Sequence, residues 1–291
     1  MTAADLEPAP RQSPWVVRHL AHLLAGAFLT VAILSALLAR WLVPYDPLMT
    51  DVLSNLLPPG TSFDGQPAYV LGTDMLGRDV LSGIIYGSRI SLIVGFATVV
   101  GAGVVGTAIG IISGYHKGWL DEVLMRLVDI QLAFPFILLA ILMMYVLGQG
   151  LFNVILVLII TTWPIYARVA RAEALRLSTS EYVTAARALG AGTPRILLRH
   201  ILPNAMTPLI VVAAFSVPQM IIYEAALSFL GVGLPSSELS WGTMLATGRD
   251  YLTQAWWIAT FPGIAIVCTI LSINVLSEAL RQNLDPNLRN Q

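Results

Sequence analysis

The sequence predicts an all-α integral membrane protein with six transmembrane helices. Two observations predict it. Only 11% of the 291 residues are charged and 56% are hydrophobic, with a mean hydropathy of +0.75, whereas a soluble domain carries about a quarter charged residues. The apolar residues are also gathered in runs of about 20, the length of a helix crossing hydrocarbon, not in the alternating runs of about 10 that mark a barrel strand. A net charge of −1 supplies no field to attract nucleic acid.

In chain order, residues 1–18 are polar and proline-rich and read as an N-terminal tail. The first span, residues 19–43, is too long for a signal peptide and lacks a small-residue cleavage site, so it reads as a retained anchor. Further spans are expected at residues 90–112, 124–147, 151–169, 205–230 and 256–280. The last five form a core of residues 90–280, followed by a tail of residues 281–291. Gly106, Gly110 and Gly114 recur every fourth residue and predict a close helix–helix approach. Pro135, Pro164, Pro208, Pro218 and Pro262 predict kinks. The single cysteine, Cys268, excludes an intrachain disulfide and reads as a small core residue.

Basic residues set the expected orientation. With a cytoplasmic N-terminus, twelve fall inside (Arg11, Arg18, Lys117, Arg126, Arg168, Arg171, Arg176, Arg187, Arg195, Arg199, Arg281, Arg289) and four outside (Arg40, Arg78, Arg89, Arg249). Both termini are therefore expected in the cytoplasm.

Two external segments are long, residues 44–89 and 231–255. In the first, residues 79–88 read as a surface amphipathic helix with Val80, Leu81, Ile84 and Ile85 on its apolar side, resting on the membrane or meeting a partner protein. In the second, Trp241, Tyr251, Trp256 and Trp257 read as an interfacial aromatic belt or as neighbours of an outer gate. Acidic residues at membrane depth are Asp129, Glu224 and Glu278. Asp129 and Glu278 lie near span ends, where snorkelling or an arginine partner suffices. Glu224 has two readings, lining a translocation path or serving as a cap or interface.

Residues 178–204, between the fourth and fifth spans, are polar and well punctuated. Ser178 and Glu181 form a capping box, so a helix is expected from about Thr179. Gly190 and Gly192 end it, Thr193 and Pro194 start a second helix, and Pro203 closes that one. Ala185, Ala186, Ala188 and Gly190 give the first helix a small-residue surface that another protein can approach closely.

This stretch resembles the cytoplasmic coupling loop of ABC-importer permeases, whose pattern is Glu-Ala-Ala, three residues, Gly, nine residues, Ile, one residue, Leu-Pro. Ala185, Ala186, Gly190, Leu202 and Pro203 stand at matching positions, while Thr184 replaces the Glu and His200 the Ile. Residues 71–92 (LGTDMLGRDVLSGIIYGSRISL), 181–204, 232–254 and 256–263 (WWIATFPG), with the Leu-Asp-Pro phrase at Leu284, Asp285 and Pro286, are similar to the second, C-type permease of the peptide and nickel importers. The resemblance implies a type I importer permease fold in a bacterial plasma membrane. It implies a heterodimer with a second related permease, two ATP-binding cassette subunits (separate or fused), an extracytoplasmic binding protein and alternating access. It also implies that the loop of residues 171–204 docks on an ATPase through Glu181, Tyr182, Ala185, Ala186, Leu189 and Gly190, with Leu202 and Pro203 at the return into the membrane.

The chain's own chemistry is spare. Lys117, its only lysine, sits in YHKGW without the glycines of a P-loop, so no Walker A site is present. His19, His22, His116 and His200 show no metal-ligand spacing, and no nucleophile–base set stands out. No cofactor, metal or enzymatic activity is expected, and ATP hydrolysis belongs to partner subunits. The favoured cargo is an oligopeptide or dipeptide; nickel or another small solute is the alternative. A stand-alone secondary transporter would need internal repeats and broken helices meeting at the midplane. A membrane enzyme lacks an active site.

Overall fold

A computed structural model describes residues 15–65 and 67–284, with side chains from residue 19 onward. Residues 1–14 of the N-terminal tail, including Arg11, and Asp285, Pro286 and Arg289 of the C-terminal tail lie outside the described residues. The helices in chain order are α1 (Trp15–Leu37), α2 (Ala39–Leu42), α3 (Val80–His116), α4 (Gly118–Ala133), α5 (Phe136–Leu147), α6 (Leu151–Ser178), α7 (Glu181–Ala188), α8 (Thr193–Ile196), α9 (Leu202–Phe229), α10 (Trp241–Arg249) and α11 (Trp257–Leu284). Between α2 and α3 the described residues hold only a short 3-10 turn and two isolated antiparallel bridges, Thr61 with Tyr69 and Thr73 with Asp79. Among the described residues, five helices are long and apolar enough to cross a membrane, or six if α4 and α5 count as one broken span.

That break corrects the expected third span. Phe134 is extended (φ −84°, ψ 135°), and the axes of α4 and α5 differ by 93°. Pro135 has no N–H to donate and disfavours helical geometry at the residue before it, so the helix stops and restarts in a new direction.

α3 and α6 form the tightest pair. A Cβ added at Gly114 would come within 2.6 Å of the Arg171 carbonyl oxygen, and Gly106 and Gly110 meet the backbone of Trp163 and Ala167 equally closely. Van der Waals contact between backbones is what glycine at every fourth residue permits in a membrane. α1 lies at the periphery, with Leu23, Leu24 and Leu37 exposed.

Four of the five expected kink prolines sit inside long helices, each freeing the carbonyl four residues earlier. Two of the freed carbonyls take donors from a neighbouring helix. Pro164 frees Ile160, and Gln131 Nε2 of α4 donates to the Ile160 oxygen. Pro218 frees Ala214, and Ser277 Oγ of α11 donates to the Ala214 oxygen at 3.0 Å. Where lipid offers no donor, such side-chain replacements let a proline remain in a span.

Two further expectations change. Residues 79–88 form no separate surface helix: Asp79 caps α3, accepting from Ser82 N at 2.8 Å, and Val80, Ser82, Gly83, Gly87 and Ser88 are buried in its first turns. The aromatic belt holds only in part. Trp241 and Trp257 are 2% and 6% exposed, their indole N–H groups donating to Ile84 O and Thr73 O at 3.0 Å, whereas Trp256 is exposed. The segment before α3 is held to the bundle by the latter bond and folded on itself by the buried Arg78–Asp74 ion pair at 2.7 Å.

Candidate functional site

The polar connection between α6 and α9 is short and closely defined. α6 runs on to Ser178, so the expected capping box does not form. Ser178 Oγ donates backwards to Leu175 O at 2.9 Å, and the residue preceding α7 is Ser180 (φ −69°, ψ 150°). The end of α7 matches its expectation. Gly190 adopts φ +82°, Gly190 N donates to Arg187 O and Ala191 N to Ala186 O, both at 3.0 Å. Those two bonds and the left-handed glycine make a Schellman ending, which a Cβ at Gly190 would strain.

α7 presents one side inward and the opposite side to solvent. Val183 is fully buried in the core with Leu177, Ile196 and Ile201. The Arg187 guanidinium lies 5.7 Å from the Tyr115 ring centroid at the end of α3, a cation–π contact. At 100° per residue, Glu181, Ala185, Ala188, Leu189 and Tyr182 occupy the face opposite Val183, and all five are exposed, Leu189 by 88%. Ala186 is half-buried at the edge of that face. An exposed ridge with alanines at its centre and Tyr182 and Leu189 at its rim suits insertion into a groove.

The return to the membrane differs from the expected second helix. Gly192, not Thr193, caps α8, and Pro203 does not close a helix but stands at the second position of α9. Because Pro203 cannot donate to Arg199 O, the chain widens into a π-turn over Leu197–Ile201, with Leu202 N reaching back to Leu197 O. Residues 193–229 are consequently one uninterrupted helical rod. Leu202 is half-buried and Pro203 exposed on that rod, not on α7. Two arginines of α6 clamp α4 beside this region. Arg171 donates through Nε and Nη2 to the two oxygens of Asp121 at 2.6 Å, which also accepts from Ser113 Oγ of α3, and Arg168 meets Asp129 at 2.7 Å.

Glu224 is 0% exposed. Its carboxyl accepts from Ser228 Oγ at 2.9 Å and Ser240 Oγ at 2.8 Å, with Ser91 Oγ at 3.5 Å. Ser240 also caps α10, accepting from Thr243 N at 3.0 Å, and Ser91 Oγ accepts from Trp241 N at 3.2 Å. The glutamate thus fastens α10 to α3 and α9, and in this conformation its carboxyl meets no open surface. Sequence reasoning missed α10 as a packed helix, although Ser240 and Thr243 carried a capping signal ahead of it.

The family model for the binding-protein-dependent transport system inner membrane component matches residues 106–290. The chain belongs to this family. The di/tripeptide transport system permease protein DppC of Pseudomonas aeruginosa is 42% identical over 263 residues, covering 90% of this chain and 87% of that protein. The dipeptide transport system permease protein DppC of Escherichia coli K12 is 38% identical over 289 residues, covering 99% of this chain and 96% of the relative. Among solved structures, a chain of the inward-facing MetNI methionine ABC transporter superposes with a TM-score of 0.58 at 19% identity, covering 70% of this chain and 96% of its own. That likeness supports the importer-permease fold alone. The protein is a multi-pass permease of a bacterial inner membrane, and a permease of this kind operates with a binding protein and an ATPase.

Proposed function

We propose that this permease forms one half of the channel of an ATP-driven importer for dipeptides and short oligopeptides. The observation that carries the reading is its similarity, along 90% or more of its length, to permeases named for di- and tripeptide transport. The exposed face of α7 is the docking surface for an ATPase subunit, with Tyr182, Ala185 and Leu189 seated in a groove of the partner. Support for a cytoplasmic placement of that face, and of both termini, comes from the twelve-to-four distribution of basic residues.

Movement of α7 is passed on in two directions. Along the chain it enters the unbroken rod of residues 193–229. Through Val183 and the Arg187–Tyr115 contact it reaches α6 and α3, and the paired Arg171–Asp121 and Arg168–Asp129 bridges carry α4 with them. ATP-driven closure of two ATPase subunits would rotate this assembly and alternate access to the channel, with the other half supplied by a related permease and peptide delivered by a binding protein.

Replacing Gly190 with valine tests this. The variant should insert normally but lose ATPase association and peptide uptake, because the left-handed turn that sets the angle of α7 is strained. Uptake at the parent rate would sink the docking assignment.

A further inference from the structure

The bundle is interrupted at membrane depth beside α9. α5 has 12 residues and is therefore about 18 Å long, shorter than a hydrocarbon layer about 30 Å thick, so with its far end at one face the α4–α5 break lies within that layer. Non-helical backbone at that depth persists only where protein buries it or where it lines a water-filled cavity. Within this chain it is not buried: Ala133, Phe134 and Pro135 are all exposed, Phe134 by 58%.

A second polar feature sits at the same place. Phe136, the first residue after the break, stacks on Tyr223 of α9 with ring centroids 3.8 Å apart. Gln219 Nε2 donates to the Tyr223 hydroxyl oxygen at 2.6 Å. Gln219 is exposed and lies ten residues before Phe229, the end of α9, hence about 15 Å from it. A primary amide facing lipid at mid-depth is costly. Two independent features, an exposed break and an exposed amide, therefore face the same non-lipid space. Glu224, five residues on, lies about 140° around the helix and is enclosed.

The chemistry of the pair suits a peptide. Donation to Tyr223 leaves Gln219 Oε1 free to accept from a peptide N–H and the tyrosine hydroxyl hydrogen free to meet a peptide carbonyl. The neighbouring exposed residues of α9, Phe215, Ile222 and Phe229, are apolar. An apolar wall with a few fixed polar groups is the usual make-up of a small-molecule site. Backbone amides are common to every peptide, so such a contact accepts any side chain. It also lacks the charge that would hold cargo too tightly for release.

We propose that Gln219 and Tyr223, beside the α4–α5 break, form the peptide-backbone contact on the translocation path; this rests on the peptide-importer reading above. The test uses the assembled transporter in proteoliposomes with its binding protein. In a Cys268→Ser background, Gln219→Cys is treated with a membrane-impermeant quaternary-ammonium methanethiosulfonate, with Leu24→Cys on the periphery of α1 as the lipid-facing control. Gln219→Cys should react at least tenfold faster than the control, and alanyl-alanine with ATP should slow the reaction. In parallel, the assembled Tyr223→Phe transporter should show a KM for alanyl-alanine raised about three- to tenfold, the worth of one hydrogen bond. A Gln219→Cys that stays unreactive in every nucleotide state would overturn the proposal by placing this face against lipid or a partner subunit. Rapid labelling unaffected by alanyl-alanine, with Tyr223→Phe at the parent KM, would overturn the peptide contact. Absence of alanyl-alanine uptake in the Cys268→Ser background would instead defeat the peptide-importer reading, whatever the labelling.

Discussion

Removing the Gln131 side-chain amide should destabilise the bundle only while residue 164 is proline. Gln131 Nε2 donates to the Ile160 carbonyl, which Pro164 deprives of its ordinary helical partner. In Gln131→Leu that carbonyl is left without a donor. Interhelical hydrogen bonds in membranes average roughly 0.6 kcal/mol, and leaving a buried polar group unsatisfied costs about 1–3 kcal/mol. The expected loss is therefore about 1–2 kcal/mol, a shift of roughly 5- to 30-fold in the unfolding equilibrium. In the Pro164→Ala background, the N–H regained at that position restores the bond within α6, and Gln131→Leu should cost no more than about 0.5 kcal/mol. The assay is SDS-titrated unfolding in mixed micelles, followed by the emission of Trp163, which is 7% exposed and adjacent to the proline. An equal cost of Gln131→Leu in both backgrounds would refute the carbonyl argument and leave packing as the only role of this side chain.

Ser277→Ala should behave alike against Pro218→Ala, with a coupling of about 1 kcal/mol in the same titration, because Ser277 serves the Ala214 carbonyl. Gly114→Leu should push α3 from α6 and cost at least about 2 kcal/mol by overpacking, whereas Gly26→Leu, with nothing within 4 Å of the added Cβ, should be near neutral. Glu224→Gln keeps an acceptor for the surrounding serines and should leave α10 in place. Glu224→Leu takes away the carboxylate that accepts from the Ser91, Ser228 and Ser240 hydroxyls, and protease cleavage within residues 231–256 should rise about tenfold or more, consistent with a loss of roughly 2 kcal/mol.

The long apolar runs gave away the spans because hydropathy follows burial in lipid directly. Gly190 and the spacing of Ala185 and Ala186 located α7, since a left-handed helix ending needs a particular residue and its signal is local. The α4–α5 break was not legible by the same means. Pro164, Pro208, Pro218 and Pro262 all remain inside helices, so a proline in an apolar run predicts a kink and a full break equally well. The donors that serve the carbonyls freed by Pro164 and Pro218 come from other helices, a tertiary fact. The same limit hid the surroundings of Glu224. Charge is conspicuous in a sequence, but Ser228 one turn on and Ser91 and Ser240 from other segments enclose it, while the uncharged Gln219 carries no such flag and stands exposed on the opposite side.

The short length of α5 also bears on how the chain enters a bilayer. Its 12 residues cover only about 18 of the roughly 30 Å of hydrocarbon, and α4 brings Asp121, Glu122, Arg126 and Asp129 with it. Neither piece is a competent insertion signal alone. α5 is, however, joined to α6 by a turn that Asn153 Nδ2 ties with bonds to Leu147 O at 2.9 Å and Gly148 O at 3.1 Å. The two helices are therefore expected to partition as a hairpin. A stall of translation within α6 should then leave the preceding segment extractable by alkali.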